Sequence, residues 1–155
     1  MNRTITPAPV RKSFSVNATP ERAFDVFTAK FDNWWPRTHS TGDSPLKQVV
    51  LEPRVKGRWY GRLEDGTEAD WGDVLAWDPP GRLVLAWRLG ADFRYDPNLL
   101  TEIEVIFTQD GARTRVDFEH RGLERMGEKA AETRVALDSD GGWTGILKLY
   151  ADAVG

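Results

Sequence analysis

The stretch from Trp71 to Arg88, WGDVLAWDPPGRLVLAWR, reads as two strands and the turn between them. Asp78, Pro79, Pro80 and Gly81 supply the turn, because proline presets one backbone angle and glycine accepts a positive one. Counting outward sets Trp77 against Arg82, Leu75 against Val84, Asp73 against Ala86 and Trp71 against Arg88. The opposite face then carries Gly72, Val74, Ala76, Leu83, Leu85 and Trp87. One face is wholly apolar and the other mixes tryptophan with arginine. That division predicts a curved sheet with a core or hollow on one side and water on the other.

Neighbouring segments extend the sheet. Asp65-Gly66 is a strong hairpin signal, and pairing about it sets Arg58 opposite Asp73, Trp59 opposite Gly72 and Tyr60 opposite Trp71. Trp59, Gly72 and Trp87 then share the apolar face, where glycine leaves room for the rings. Leu100 to Phe107 and Ala112 to Glu119 flank a turn at Thr108 to Gly111. Its pairs are Phe107 with Ala112, Val105 with Thr114, Ile103 with Val116 and Thr101 with Phe118, and Glu104 with Arg115 on the charged face.

Val10 to Val16 alternate as a first strand, and Val49 to Val55 and Gly57 to Leu63 add two more. Thr19-Pro20-Glu21 is a helix start, with a threonine cap, proline at the first helical position and an acid in the first turn. Ala23, Phe24, Phe27 and Phe31 follow at helical spacing until Trp34-Trp35-Pro36. Trp143, Ile146, Leu147, Tyr150 and Val154 form the apolar stripe of a final helix. Residues 124 to 137 read as an earlier helical piece, and the pattern leaves open whether the two join.

A length of 155 residues fits one domain with a real core, and residues 1–9 read as a loose N-terminal arm. The net charge of −3 disfavours nucleic acid as a partner. No apolar run approaches the roughly 20 residues that span a bilayer, so no membrane contact is expected. No secretory leader is evident, and a cytoplasmic protein is the default. The absence of cysteine removes disulfides and thiol chemistry. Seven tryptophans stand out, either as core bulk or as the lining of a ligand pocket.

The order is one strand, one or two short helices, six antiparallel strands and a long final helix. It resembles the helix-grip fold of the START-like superfamily, also called SRPBCC. The chain is most similar to its bacterial family akin to the C-terminal domain of the activator of the heat-shock protein's ATPase. The resemblance spans about residues 10 to 154 and rests on short motifs in order. They are Thr19-Pro20-Glu21-Arg22-Ala23-Phe24, Glu52-Pro53-Arg54-Val55-Lys56-Gly57-Arg58-Trp59, Trp71-Gly72-Asp73-Val74, Trp77-Asp78-Pro79-Pro80-Gly81-Arg82-Leu83 and Gly142-Trp143. Lys56 stands where the family often has the first of two glycines, which marks a change in the local bend. The resemblance implies an α+β fold: a curved antiparallel sheet of about seven strands wrapped around the C-terminal helix, with a cavity between. It implies a single START-like domain over residues 1–155. It implies no catalytic motif, because relatives on this scaffold take varied ligands.

The expected function is therefore binding of a small hydrophobic or aromatic molecule between sheet and final helix. The sheet's parity assigns Trp59, Val74, Leu85 and Trp87 to the ligand wall, with Ile103, Val105, Val116 and Phe118. The helix adds Trp143, Leu147 and Tyr150. His39, in a polar loop, and Asp70, which shares the parity of Gly72 and Val74, are candidate polar contacts. His120 reads as an exposed residue at a strand end. The two histidines lack metal-ligand spacing, so neither a metal nor another cofactor is expected. The acidic residues Glu64, Asp65, Glu68 and Asp70 read as a solvated hairpin tip. Two alternatives stand beside binding. One is a cyclase-, aromatase- or hydrolase-like enzyme on the same scaffold. The other is a stress-response module that contacts a chaperone ATPase through its outer surface. The oligomeric state stays open.

Overall fold

The computed structural model describes residues 8–39, 41 and 43–154. The elements run β1 (Val10–Val16), α1 (Pro20–Phe27), α2 (Phe31–Trp34), β2 (Leu46–Leu51), β3 (Arg58–Leu63) and β4 (Glu68–Asp78). Then come β5 (Arg82–Trp87), β6 (Thr101–Asp110), β7 (Arg113–Arg121), a 3-10 segment (Leu123–Lys129), α3 (Ala130–Asp138) and α4 (Trp143–Val154). The seven strands form one curved antiparallel sheet in the order β1-β7-β6-β5-β4-β3-β2. This is the helix-grip architecture expected. The expected arm lies outside the described residues except for Ala8 and Pro9, whose carbonyls accept from Arg134.

Capping starts α1 as the sequence predicts. The Thr19 hydroxyl accepts from the Arg22 amide at 3.2 Å, and Pro20 occupies the first turn. Its buried face of Ala23, Phe24, Val26 and Phe27 packs toward the sheet. The final helix buries Trp143, Ile146, Leu147, Tyr150 and Val154, the predicted stripe. The earlier helical piece does not join it: α3 ends at Asp138, and a turn through Gly142 separates the two. β2 runs from Leu46 to Leu51 rather than to Val55, which is exposed.

Both tight hairpins carry a three-residue loop and then a bulge. The Leu63 amide donates to the Thr67 carbonyl at 2.9 Å across Glu64, Asp65 and Gly66, with Gly66 at φ 89, and Arg62 pairs with Glu68. The register then shifts at Trp71, so Trp59 faces Gly72 and Arg58 faces Asp73, as counted from the sequence. Across the other turn Asp78 pairs with Arg82, and a second shift at Leu75 restores Val74 to Leu85 and Gly72 to Trp87. Between turn and bulge the faces are exchanged. Asp70 therefore lies opposite Tyr60 on the outer face, where it binds Arg58 at 2.9 Å, and does not share the apolar face. Trp71, expected on the charged face, is buried in the core. Trp77 likewise turns inward, edge-on to Phe24 at 5.1 Å.

The third hairpin differs by four residues. Val105 faces Phe118 and Phe107 faces Val116, about a turn at Gly111 and Ala112. An even displacement leaves every side chain on its expected face. It changes the charged partners, however: Glu104 lies opposite Glu119, not Arg115. Glu104 instead takes Arg82 at 2.7 Å and Arg121 at 3.0 Å. Arg58, though opposite Asp73, also bonds elsewhere, while Asp73 takes Arg88 at 2.6 Å. Lys56 holds a left-handed backbone at φ 67, the region that favours glycine.

Candidate functional site

Aromatic rings fill most of the space between sheet and helices. Trp59, Val74, Leu85, Ile103 and Val105 are buried there, as are Val116, Phe118, Leu147 and Tyr150. None of these lines the tryptophan-walled cavity at the α3–α4 corner. The Tyr150 hydroxyl donates to the Ala23 carbonyl at 2.7 Å, and burial pushes its pKa upward.

The cavity, of about 420 Å³, sits at one end of the sheet. β4 and β5 contribute Trp71 and Trp87, and the segment beyond β5 adds Leu89 and Phe93. Trp35, Thr38, His39 and Thr41 come from the chain after α2. The α3–α4 corner supplies Ala136, Leu137, Ser139, Gly141, Gly142, Trp143 and Ile146. Of the sequence-assigned residues, then, Trp87, Trp143 and His39 meet at the opening. No aspartate, glutamate, lysine or arginine lies among these wall residues. Volume and apolar character match a small-molecule site.

Hydrogen bonds fix part of the wall. His39 bridges the mouth, its Nε2–H donating to the Gly141 carbonyl at 2.5 Å. Nδ1 then accepts from the Thr38 hydroxyl at 3.0 Å. The Trp35 indole donates to the His39 carbonyl at 2.7 Å. Behind the wall His120 is completely buried, contrary to the exposed position expected. β7 continues to Arg121, which carries His120 inward opposite Ile103. The Trp143 indole donates to His120 Nδ1 at 3.1 Å. Nε2–H is left to donate to the Thr101 hydroxyl at 2.9 Å, which donates in turn to the Trp87 carbonyl at 2.8 Å. Burial holds the His120 pKa down to about 3, so the ring is neutral. The alternation of β7 carried the signal for this placement, since His120 has the parity of Val116 and Phe118.

Among the described residues no group of three or more histidines and carboxylates is arranged to hold a metal ion. No described helix is long and apolar enough to cross a membrane.

The family description "Activator of Hsp90 ATPase homolog 1-like protein" matches residues 17–154. The chain belongs to this family. Among solved structures it is similar to an anthrahydroquino-γ-pyrone synthase, Txn09, at 38% identity and a TM-score of 0.66, over 95% of this chain and 97% of that one. It is also similar to CalC, a self-sacrificing resistance protein from Micromonospora echinospora. There the identity is 38% and the TM-score 0.71, over 94% of this chain and 93% of that one. The Aha1 dimer from Colwellia psychrerythraea shares the fold at 16% identity and a TM-score of 0.62, over 96% of each chain. No curated protein matches the chain.

Proposed function

We propose that the protein binds an uncharged, flat aromatic small molecule in the cavity at the α3–α4 corner. One observation carries this reading: a space of about 420 Å³ walled by Trp35, Trp71, Trp87 and Trp143, with no aspartate, glutamate, lysine or arginine in its lining. Aromatic walls favour stacking and edge contacts with a ring system. An ionised ligand would lose its hydration there without gaining a partner. The name of one relative at 38% identity, an anthrahydroquino-γ-pyrone synthase, supports an aromatic ligand class. Room for a ligand also weighs against a module that works only through its outer surface on a chaperone.

A second reading, a cyclase-type enzyme, is favoured by the synthase name of that relative. His39 is the wall's one acid–base side chain, and both of its ring nitrogens are already hydrogen-bonded. Binding is therefore the better-supported role.

Titration of tryptophan fluorescence with the tricyclic probe xanthone tests the site. Quenching should saturate with the natural chain and be lost in Ala136→Trp, which places an indole in the cavity from an exposed helix position. Saturable quenching that survives Ala136→Trp would remove the ligand from this cavity. Incubation with 2′-hydroxychalcone, which closes to its isomer flavanone by adding its phenol O–H across the enone, separates the readings. Recovery of the open form at the rate of the protein-free control supports binding, and faster closure supports the enzyme.

A further inference from the structure

Four tryptophans and one phenylalanine line the cavity, and the phenylalanine is unlike the rest. Trp35, Trp71, Trp87 and Trp143 are at most 5% exposed. Each already meets another ring: Trp35 lies 5.3 Å from Trp71, and Trp87 lies 5.5 Å from Trp143. Phe93 is 44% exposed and belongs neither to the core nor to the half-buried residues packed against it. It meets no other ring among the described residues.

Phe93 is also strained. Its backbone is left-handed at φ 58, where a bulky side chain crowds the following carbonyl. The surrounding loop enforces that shape. The Phe93 amide donates to the Gly90 carbonyl at 2.9 Å, and the Gly90 amide to the Arg94 carbonyl at 3.0 Å. The Arg94 amide donates to Asp92 Oδ1 at 3.0 Å, and Leu89 is bridged to Tyr95. The Arg88 guanidinium ties the loop to the sheet. It donates to Asp73 at 2.6 Å and to the carbonyls of Pro97 and Leu99 at 3.2 and 3.3 Å.

We propose that Phe93 is the ring that stacks on the bound molecule, and that it makes the site select planar aromatic ring systems over saturated ones of the same skeleton. This rests on the reading of the cavity as an aromatic site and names what that site discriminates.

An exposed apolar ring and a left-handed backbone both cost free energy, and Phe93 returns neither as packing on the core. Strain of this kind collects where ligands are held. A flat molecule in the cavity covers the ring and supplies the contact it lacks. The hydrogen-bonded loop holds the ring in place beforehand, so little freedom is lost on binding. A saturated skeleton is puckered. It gains apolar contact with the ring but not the offset stack.

The test follows xanthone by tryptophan quenching in the full chain. Phe93→Gly should weaken xanthone about tenfold, the worth of one aromatic stack with its buried area. Its urea midpoint should hold or rise, because glycine accepts the left-handed backbone. Phe93→Tyr, which keeps the flat ring, should bind xanthone as the natural chain does. In competition with xanthone, 2-naphthol should lose about fivefold in Phe93→Leu. Decahydro-2-naphthol, with the same skeleton and hydroxyl but no flat ring, should keep its affinity there. Unchanged xanthone affinity in Phe93→Gly would overturn the proposal and leave the aromatic site in place. So would equal losses of the two competitors in Phe93→Leu. A midpoint that falls with the affinity in Phe93→Gly, and is restored with it in Phe93→Leu, would make the ring a packing group and overturn the proposal too. Failure of xanthone to quench the natural chain would instead remove the aromatic site, and the assignment of Phe93 with it.

Discussion

Completely buried against Trp87 and Trp143, His120 stays neutral because water does not reach it. Its pKa falls from 6.5 to about 3. An unfolded chain takes up a proton below about 6.5, and the folded chain does not until about 3. The unfolded state therefore binds more protons across that window, and stability falls as the pH falls, by up to about 1.4 kcal/mol per pH unit. Glu104 and Glu119 add their loss at lower pH. Burial pushes their carboxyls up, but hydrogen bonds from Arg82, Arg11 and Arg121 bring them to a net lowering from 4.5. Urea unfolding at pH 6.5, 5.5 and 4.5 should show the histidine slope, and His120→Gln should flatten it. An unchanged slope in that variant would mean that the acid sensitivity lies elsewhere. The sequence held this residue's parity but not its depth. Burial of a strand-end histidine is decided by what packs over it, here Trp143 from a helix more than twenty residues on.

At the scale of elements, β4 is where counting from the turns worked least well. Its bulges at Trp71 and Leu75 put Trp71 and Trp77 inward and Asp70 outward. Gly72 makes the first one tolerable, because a Cβ there would lie 1.7 Å from the Ala86 carbonyl oxygen. That atom is backbone in the adjoining strand and cannot swing aside. Gly72→Ala should therefore cost about 3 kcal/mol or more, read from the denaturation midpoint, and loosen the Trp71 wall. A variant as stable as the natural chain would show that β4 and β5 can separate at that point. Bulges hide from a period-two reading because the pattern on either side of them is intact. The four-residue displacement of β6 on β7 was hidden for the opposite reason: an even step leaves the apolar and polar faces unchanged, so patterning does not penalise it.

Across the whole molecule, α4 is tied to α1 as well as to the sheet. The Tyr150 hydroxyl meets the Ala23 carbonyl, and Arg22 donates to the Val154 carbonyl at 3.1 Å. Tyr150→Phe should lower stability by about 1 kcal/mol, since it removes a buried hydrogen bond, while the Ala23 carbonyl keeps its place in the α1 helix. Xanthone affinity should hold, because Tyr150 does not line the cavity. A loss of affinity at constant stability would return Tyr150 to the binding site. The sequence alone determined the α+β class, the hairpins, the helix start at Thr19 and the apolar stripe of the last helix. These follow from local rules: turn chemistry, capping and side-chain periodicity. Only the tertiary structure decided where the interior is full and where it is empty. Trp59, Ile103, Val105, Val116 and Phe118 were legible as inward-facing, but the rings from α1, α2 and α4 occupy the space in front of them. The opening survives at the end, where Trp35, His39, Phe93 and Ala136 meet Trp87 and Trp143. Those residues come from segments far apart in the chain, and a void is set by how the volumes of such segments add up in space, a sum that no local pattern contains.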